Sequence, residues 1–221
     1  MKTMAKTISK VQSVLNTYGI VLILWSLFRF NFSGLPEWFD EFIAKPLVFV
    51  LPALVYVRRI EKKSFFKQIW FNSTPFVSNL VIGLALGAIF IISALFANFI
   101  RYGNFNIQEI VGTPSFIVAI IVTFATAFSE EVFSRGFLLK RLYEEWGNMY
   151  SAAFISSILF LVLHIPILLA NLQLSGNLLV LFFATDFILS LVNSFVFLER
   201  KSLIAPILIH ALYNLAILIY L

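Results

Sequence analysis

Cysteine is absent from this 221-residue chain, and charged residues make up only 12% of it. The absence of cysteine excludes disulfide bonds, thiolate metal ligands, a catalytic thiol and a prenylated or palmitoylated anchor. The scarcity of charge, combined with 61% hydrophobic residues, leaves too little polar surface to cover a water-soluble globule. The chain is therefore predicted to be solvated by lipid.

Apolar stretches recur along the chain and predict membrane-spanning helices. The seven stretches cover approximately residues 14–30, 42–57, 76–100, 114–134, 150–170, 177–198 and 202–221. Since a span needs about 20 apolar residues to cross roughly 30 Å of hydrocarbon, the chain length allows six to eight spans. No internal repeat or low-complexity linker divides the sequence. We expect an all-α, polytopic transmembrane bundle formed by one integral membrane domain, residues 1–221.

The basic residues form short clusters between the apolar stretches. Thirteen of the sixteen lysines and arginines occupy alternate connections: Lys2, Lys6, Lys10, Arg58, Arg59, Lys62, Lys63, Lys67, Arg135, Lys140, Arg141, Arg200 and Lys201. The other three, Arg29, Lys45 and Arg101, lie near the opposite side. By the positive-inside rule, this alternation predicts a cytoplasmic N-terminus. The expected location is the cell membrane. Because the cations do not follow one face, no nucleic-acid partner is expected.

Few polar or ionisable groups lie inside the apolar stretches, where a charge costs several kcal/mol. They are Glu130, Glu131 and Arg135 in the fourth stretch, His164 in the fifth, and His210 and Asn214 in the seventh. A single intramembrane histidine is more often structural than catalytic. Here, however, the only two histidines of the chain both lie in apolar stretches, and together with the carboxylates they indicate one functional site.

The spacing of these residues predicts that two of them meet. The fourth stretch is expected to continue as a helix and to turn near Gly147 and Asn148. Glu130 lies seventeen residues before Gly147, and His164 lies seventeen residues after it. In an antiparallel helix pair, equal offsets place two side chains at a similar height. A hydrogen bond or a shared water between Glu130 and His164 is therefore expected.

Two further pairs are each spaced four residues apart, which places both members on one helix face. Glu131 and Arg135 are predicted to form an internal ion pair that supports the segment around Glu130. His210 and Asn214 can offer N–H donors in the same direction.

Three motifs formed by these residues resemble those of the CAAX protease and bacteriocin-processing family, which is also called the Abi family. The chain is similar in particular to the type II CAAX prenyl endopeptidases. Residues 130–135 match EExxxR, residues 160–164 match FxxxH, and residues 210–214 match HxxxN, in the order of the family. The resemblance covers residues 114–221. We therefore take these residues as the motif-bearing core.

The sixth stretch departs from the family pattern. The family often has glycines there for close helix packing, whereas this chain has Asp186, Ser190, Asn193 and Ser194. The resemblance therefore does not define the helix packing at this position.

The resemblance implies an intramembrane endopeptidase that acts on a peptide or protein, with membrane-anchored and prenylated substrates both open. Hydrolysis needs an activated water and a partner for the oxyanion. Glu130 can serve as the general base and His164 can hold the same water. His210 and Asn214 can donate hydrogen bonds to the developing oxyanion.

A metal-dependent variant of this site is also open. Glu130, His164 and His210 can ligate a divalent metal such as zinc, with a metal-bound water as the nucleophile. The chain has no HExxH segment and no thiolate, which favours a glutamate mechanism without a cofactor. The same absence excludes a site-2 metalloprotease. An aspartyl protease needs two intramembrane aspartates, and a rhomboid-type serine protease needs a GxSG turn; the chain offers neither.

Two other classes of function are compatible with the sequence. The first is a catalytically idle membrane regulator or immunity protein on the same fold. The second is a proton-coupled transporter, for which intramembrane glutamate and histidine are equally suitable. Against the transporter, such groups are expected only in the fourth to seventh stretches, and no broken half-helices are evident.

Access to the site can also be anticipated from charge. The connection between the fourth and fifth stretches is cationic and hence predicted to be cytoplasmic. We expect the cavity to open to the cytoplasm or laterally to that leaflet.

Overall fold

The computed structural model describes residues 9–32, 34–71, 75–105, 114–171 and 176–220, and helices account for most of them. In chain order these helices are α1 (Lys10–Asn31), α2 (residues 37–60), α3 (Phe65–Gln68), α4 (Phe76–Tyr102), α5 (Ser115–Trp146), α6 (Met149–Asn171), α7 (Gly176–Arg200) and α8 (Ile204–Tyr220). Among the described residues, α1, α4, α5, α6 and α7 are long and apolar enough to cross a membrane, and α8 is a shorter apolar helix. The predicted all-α, polytopic membrane protein is confirmed.

Aromatic side chains pack α1, α2 and α5 together. Phe49 of α2 contacts Phe133 of α5 with ring centroids 5.8 Å apart, and Trp25 of α1 lies 5.2 Å from Phe49 on the other side. All three rings are buried. Because buried aromatic rings contribute large contact areas, this packing holds the first half of α2 alongside the middle of α5.

The helix α2 departs from regular α-helical geometry. Its segments Asp40–Ala44, Pro46–Val50 and Tyr56–Ile60 are π-helical. Pro46 begins the second π segment; it has no N–H group and its ring crowds the carbonyl four residues earlier, which disfavours a regular α-helical turn here. Wider π turns relieve this conflict and change which side chains face a neighbour. Lys45 lies between the first two π segments.

Glycines bring α4 close to α8. Gly83 and Gly87 form a GxxxG spacing on α4, and a Cβ atom added at Gly83 would lie 2.8 Å from the Cβ of Leu208. Small residues at this spacing let two membrane helices approach closely. This contact holds α8, which carries His210 and Asn214, against α4.

A tight turn joins α5 to α6. Gly147 adopts a left-handed conformation with φ of 66°, and its N–H donates to the Tyr143 carbonyl at 2.9 Å. The side-chain oxygen of Asn148 then accepts a hydrogen bond from the Ser151 N–H at 3.0 Å and caps α6. The turn predicted at these two residues is confirmed, and it makes α5 and α6 antiparallel.

The close approach of α4 and α8 predicts opposite effects for two glycine substitutions. Gly83→Ala should lower the free energy of unfolding by about 1–3 kcal/mol, because its Cβ meets Leu208 and the backbone of Ala205. Gly19→Ala is the matched control, since nothing lies within 4 Å of an added Cβ there. The control should be neutral or stabilising by up to about 1 kcal/mol. Thermal unfolding in detergent measures both, and equal effects would contradict the packing.

Candidate active site

A cavity of about 480 Å³ lies among α1, α2, α5, α6, α7 and α8. Its polar lining includes Glu41, Lys45, Glu130, His164, His210 and Asn214. From Glu130 the lining continues toward one end of the bundle, where it includes Glu37 at the start of α2 and Leu218 near the end of α8. The α5–α6 turn lies at the opposite end, so the expectation that the cavity opens on the side of that turn is wrong.

Glu130 and the two histidines face each other across this cavity. The Oε2 atom of Glu130 lies 3.8 Å from Nε2 of His164 and 3.8 Å from Nε2 of His210. This oxygen is buried and has no hydrogen-bond partner among the described residues. A water molecule between the three atoms can reach each of them. The predicted convergence of α5, α6 and α8 is therefore present.

The other ring nitrogen of each histidine faces an acceptor. Nδ1 of His164 lies 3.1 Å from the Phe160 carbonyl oxygen, and Nδ1 of His210 lies 2.7 Å from Oε1 of Glu131. These acceptors assign a proton to Nδ1 in both rings. In the neutral rings, both Nε2 atoms and Oε2 of Glu130 are then acceptors. Three acceptors around one point require a donor between them, such as water or a ring proton.

Glu131 connects three helices below the cavity. Its Oε1 accepts hydrogen bonds from Arg135 Nη1 at 2.9 Å, Asn193 Nδ2 at 2.9 Å and His210 Nδ1 at 2.7 Å. Arg135 also donates from Nη2 to the carbonyl and hydroxyl oxygens of Ser190 at 3.1 and 2.8 Å. The predicted Glu131–Arg135 ion pair is confirmed. It ties α5 to α7 and α8, and it orients the His210 ring.

The polar residues that distinguish the sixth stretch from the family pattern are buried around these groups. Ser190 and Asn193 hold Arg135 and Glu131, as described above. Asp186 places Oδ2 3.6 Å from Nδ1 of His164. The departures therefore supply contacts to the motif residues, which the sequence did not reveal because no residue spacing links α7 to α5.

Lys45 and Glu41 are the site residues that sequence reasoning missed. Lys45 Nζ lies 2.8 Å from Glu130 Oε1 and 2.8 Å from Glu41 Oε2, and Thr126 Oγ1 donates to Glu41 Oε2 at 2.6 Å. The expectation that ionisable groups are restricted to the fourth to seventh stretches is wrong, because Lys45 is buried in α2, which covers the second stretch. The available signal was the spacing of four between Glu41 and Lys45, which places them on one helix face.

The geometry also bears on the metal alternative. Among the described residues, no group of three histidine, aspartate or glutamate side chains has the arrangement of a metal site. The ammonium of Lys45 already lies against the Glu130 carboxylate, where it would repel a second cation. The position of Lys45 therefore disfavours a zinc ion held by Glu130, His164 and His210.

The buried ion pair predicts a large stability effect. Arg135→Met should lower the free energy of unfolding by about 3–5 kcal/mol, because it leaves Glu131 buried without its cation. Arg141→Met is the control on the same helix and should cost less, since the side chain of its partner Glu61 is 20% exposed and can be hydrated. Denaturant or thermal unfolding checks the order. A smaller loss for Arg135→Met would contradict the structural role of the pair.

Comparison with known protein families gives one match. The family model described as type II CAAX prenyl endopeptidase Rce1-like matches residues 112–216, which contain all three motifs. Comparisons with curated proteins and with solved structures give no match. The resemblance inferred from the three motifs is thereby confirmed. Through residues 112–216, this integral membrane protein is similar to the Rce1-like type II CAAX prenyl endopeptidase family.

Proposed function

We propose that this protein is an intramembrane endopeptidase that hydrolyses a peptide bond with a water molecule activated by Glu130. The observation that carries the proposal is the free Oε2 of Glu130, buried in a cavity and 3.8 Å from Nε2 of each histidine. Similarity to an endopeptidase family over residues 112–216 supports the class of reaction. The substrate is a peptide or protein, and the lipid surroundings allow it to be membrane-anchored.

In the first step, Glu130 removes a proton from the bound water while the water oxygen attacks the carbonyl carbon of the scissile bond. His164, in its neutral form, accepts the second hydrogen of the water at Nε2 and so orients the attack. The Phe160 carbonyl holds the proton of His164 on Nδ1 at 3.1 Å, which leaves the Nε2 lone pair available.

The developing oxyanion needs donors. Because the Nδ1 proton of His210 is directed to Glu131, His210 can donate from Nε2 only when the ring carries a proton on both nitrogens. Asn214 lines the same cavity one helical turn away and adds an amide N–H. When the C–N bond breaks, the proton held by Glu130 passes to the amine nitrogen, which leaves as the new N-terminus.

We propose that this reaction uses no metal. The contact of 2.8 Å between Lys45 and Glu130 supports this choice, because the carboxylate already has a monovalent counter-ion. The same contact leaves Oε2 free to act as a base.

We further propose that the N-terminus is cytoplasmic and that the cavity faces the extracytoplasmic side of the cell membrane. The clusters at residues 58–67 and 200–201 lie at or beyond the ends of α2 and α7 that point away from the cavity opening, and Lys140 and Arg141 lie in the last two turns of α5, at the same side. By the positive-inside rule these ends are cytoplasmic. A substrate would then enter from the outer side or from the outer leaflet.

A conservative change at the base tests the reaction. Glu130→Gln should reduce kcat by about 10²–10⁴-fold, because an amide cannot take the proton of the attacking water. Purified protein is incubated with a peptide library and the products are identified by mass, with the exposed Glu145→Gln on the same helix as the control. The control should cleave like the wild type. Wild-type turnover by Glu130→Gln would refute the proposal, and identical absence of products in all three proteins would favour an idle regulator.

Selective labelling tests the orientation, and the absence of native cysteine gives a clean background. Leu35→Cys and Glu145→Cys introduce thiols at exposed positions at opposite ends of the bundle. A membrane-impermeant maleimide added to intact cells should label residue 35 and spare residue 145 until the cells are permeabilised. The opposite pattern would overturn the orientation and place the cavity on the cytoplasmic side.

A further inference from the structure

Lys45 is in direct contact with the carboxylate of Glu130, although it belongs to no motif and lies outside residues 112–216. Its ammonium contacts Glu130 Oε1 and Glu41 Oε2, each at 2.8 Å, and its side chain is only 8% exposed. Burying a lysine at this depth is costly unless it is paired. Two carboxylates compensate it, and both line the cavity.

These contacts form a closed chain between two helices. Thr126 and Glu130 are one turn apart on α5, and Glu41 and Lys45 are one turn apart on α2. Thr126 donates to Glu41, Glu41 pairs with Lys45, and Lys45 pairs with Glu130. The ammonium is thereby held on both sides, so its position relative to Glu130 is determined by two helices.

The contact with Lys45 distinguishes the two oxygens of Glu130. A charge-assisted hydrogen bond occupies Oε1 and fixes the carboxylate orientation. Only Oε2 is then directed at the Nε2 atoms of His164 and His210. Without the lysine, the carboxylate could rotate and either oxygen could face the cavity wall.

The charge of Lys45 matters as well as its position. A carboxylate buried without a counter-ion takes up a proton, and a protonated carboxyl cannot act as a base. The groups facing Glu130 are Lys45 from α2, His164 from α6 and His210 from α8, while Asp186 and Glu131 lie behind the two histidines. The histidines therefore have carboxylates of their own nearby, and Lys45 is the permanent cation in contact with Glu130.

We propose that Lys45 is a positioning residue of the hydrolytic site, which keeps Glu130 ionised and directs Oε2 toward the attacking water. The proposal rests on the proposed function of Glu130 as the base. It adds α2, which lies outside the matched family region, to the machinery of the reaction.

The test must separate catalysis from folding, because Lys45→Met alone strands two buried carboxylates. The double variant Lys45→Met/Glu41→Gln removes one positive and one negative charge, so only Glu130 loses its counter-ion. We expect kcat to fall about 100-fold with KM within about twofold of the wild type, since the ammonium of Lys45 is already bound by two carboxylates of the protein. Lys45→Arg keeps the charge and should restore most of kcat.

A second ion pair on α2 provides the matched control. Arg29 and Asp40 form a buried salt bridge between α1 and α2, and neither lines the cavity. Arg29→Met/Asp40→Asn should lower the thermal midpoint but keep kcat within about twofold. If this control loses as much kcat as the Lys45 double variant, the placement of α2 and not the charge of Lys45 sets the rate, and the proposal is overturned.

Infrared spectroscopy gives a readout that does not depend on cleavage. At neutral pH, the Lys45→Met/Glu41→Gln variant should show a protonated-carboxyl band that disappears when Glu130→Gln is added, whereas the wild type should lack it. A wild-type spectrum and wild-type kcat in the double variant would refute the role of Lys45 while leaving Glu130 as the base. If the double variant shows the band but the wild type cleaves no peptide, the role of Lys45 in keeping Glu130 ionised is supported and the proposed peptidase function is refuted.

Discussion

Charges buried at membrane depth must be compensated by neighbouring groups, and this constraint determines how the helices of this protein meet. Glu131 gathers donors from α5, α7 and α8 onto one oxygen. Glu130 takes its counter-ion from α2, and Asp40 pairs with Arg29 across α1 and α2. Each pair joins different elements of the bundle or different turns of one helix. Moving a helix would therefore separate charges that cannot be hydrated by lipid.

The buried charges of the adjacent residues Glu130 and Glu131 are compensated by different sets of partners. Glu131 is fully buried beneath the site, and its donors make it a structural connection that also orients His210. The two carboxylate oxygens of Glu130 have different surroundings: Oε1 binds Lys45, and Oε2 faces the cavity. A neighbouring pair of identical side chains thus has one member held by the protein and one with an oxygen available for chemistry. The difference comes from the direction in which each points from α5.

The first part of the chain contributes more than anchoring. The family match begins at residue 112, yet α2 supplies Lys45 and Glu41 to the cavity, and α4 packs its glycines against the helix that carries His210. The polar residues of α7 serve the same purpose on the other side, since Ser190 and Asn193 hold Arg135 and Glu131. The motif residues are therefore placed by partners from both the matched and the unmatched regions.

Local spacing and composition were sufficient to predict much of this structure from sequence. The scarcity of charge indicated a membrane bundle, the Glu131–Arg135 spacing of four indicated their ion pair, and the turn at Gly147 placed Glu130 opposite His164. Each of these inferences depends on helix geometry over short distances along the chain. The ordered motifs added α8 to the site.

Only the tertiary structure decided which residues face Glu130 from distant helices and where the cavity opens. Lys45 lies 85 positions before Glu130, and its direction depends on the π turns around Pro46 and on the packing of Phe49 against Phe133. Helix rotation of this kind has no signature in composition or spacing. Cation placement identified the ends of the helices, but it could not show that the polar groups lie along a cavity reaching the cation-poor end. That arrangement follows from how the helices pack against one another.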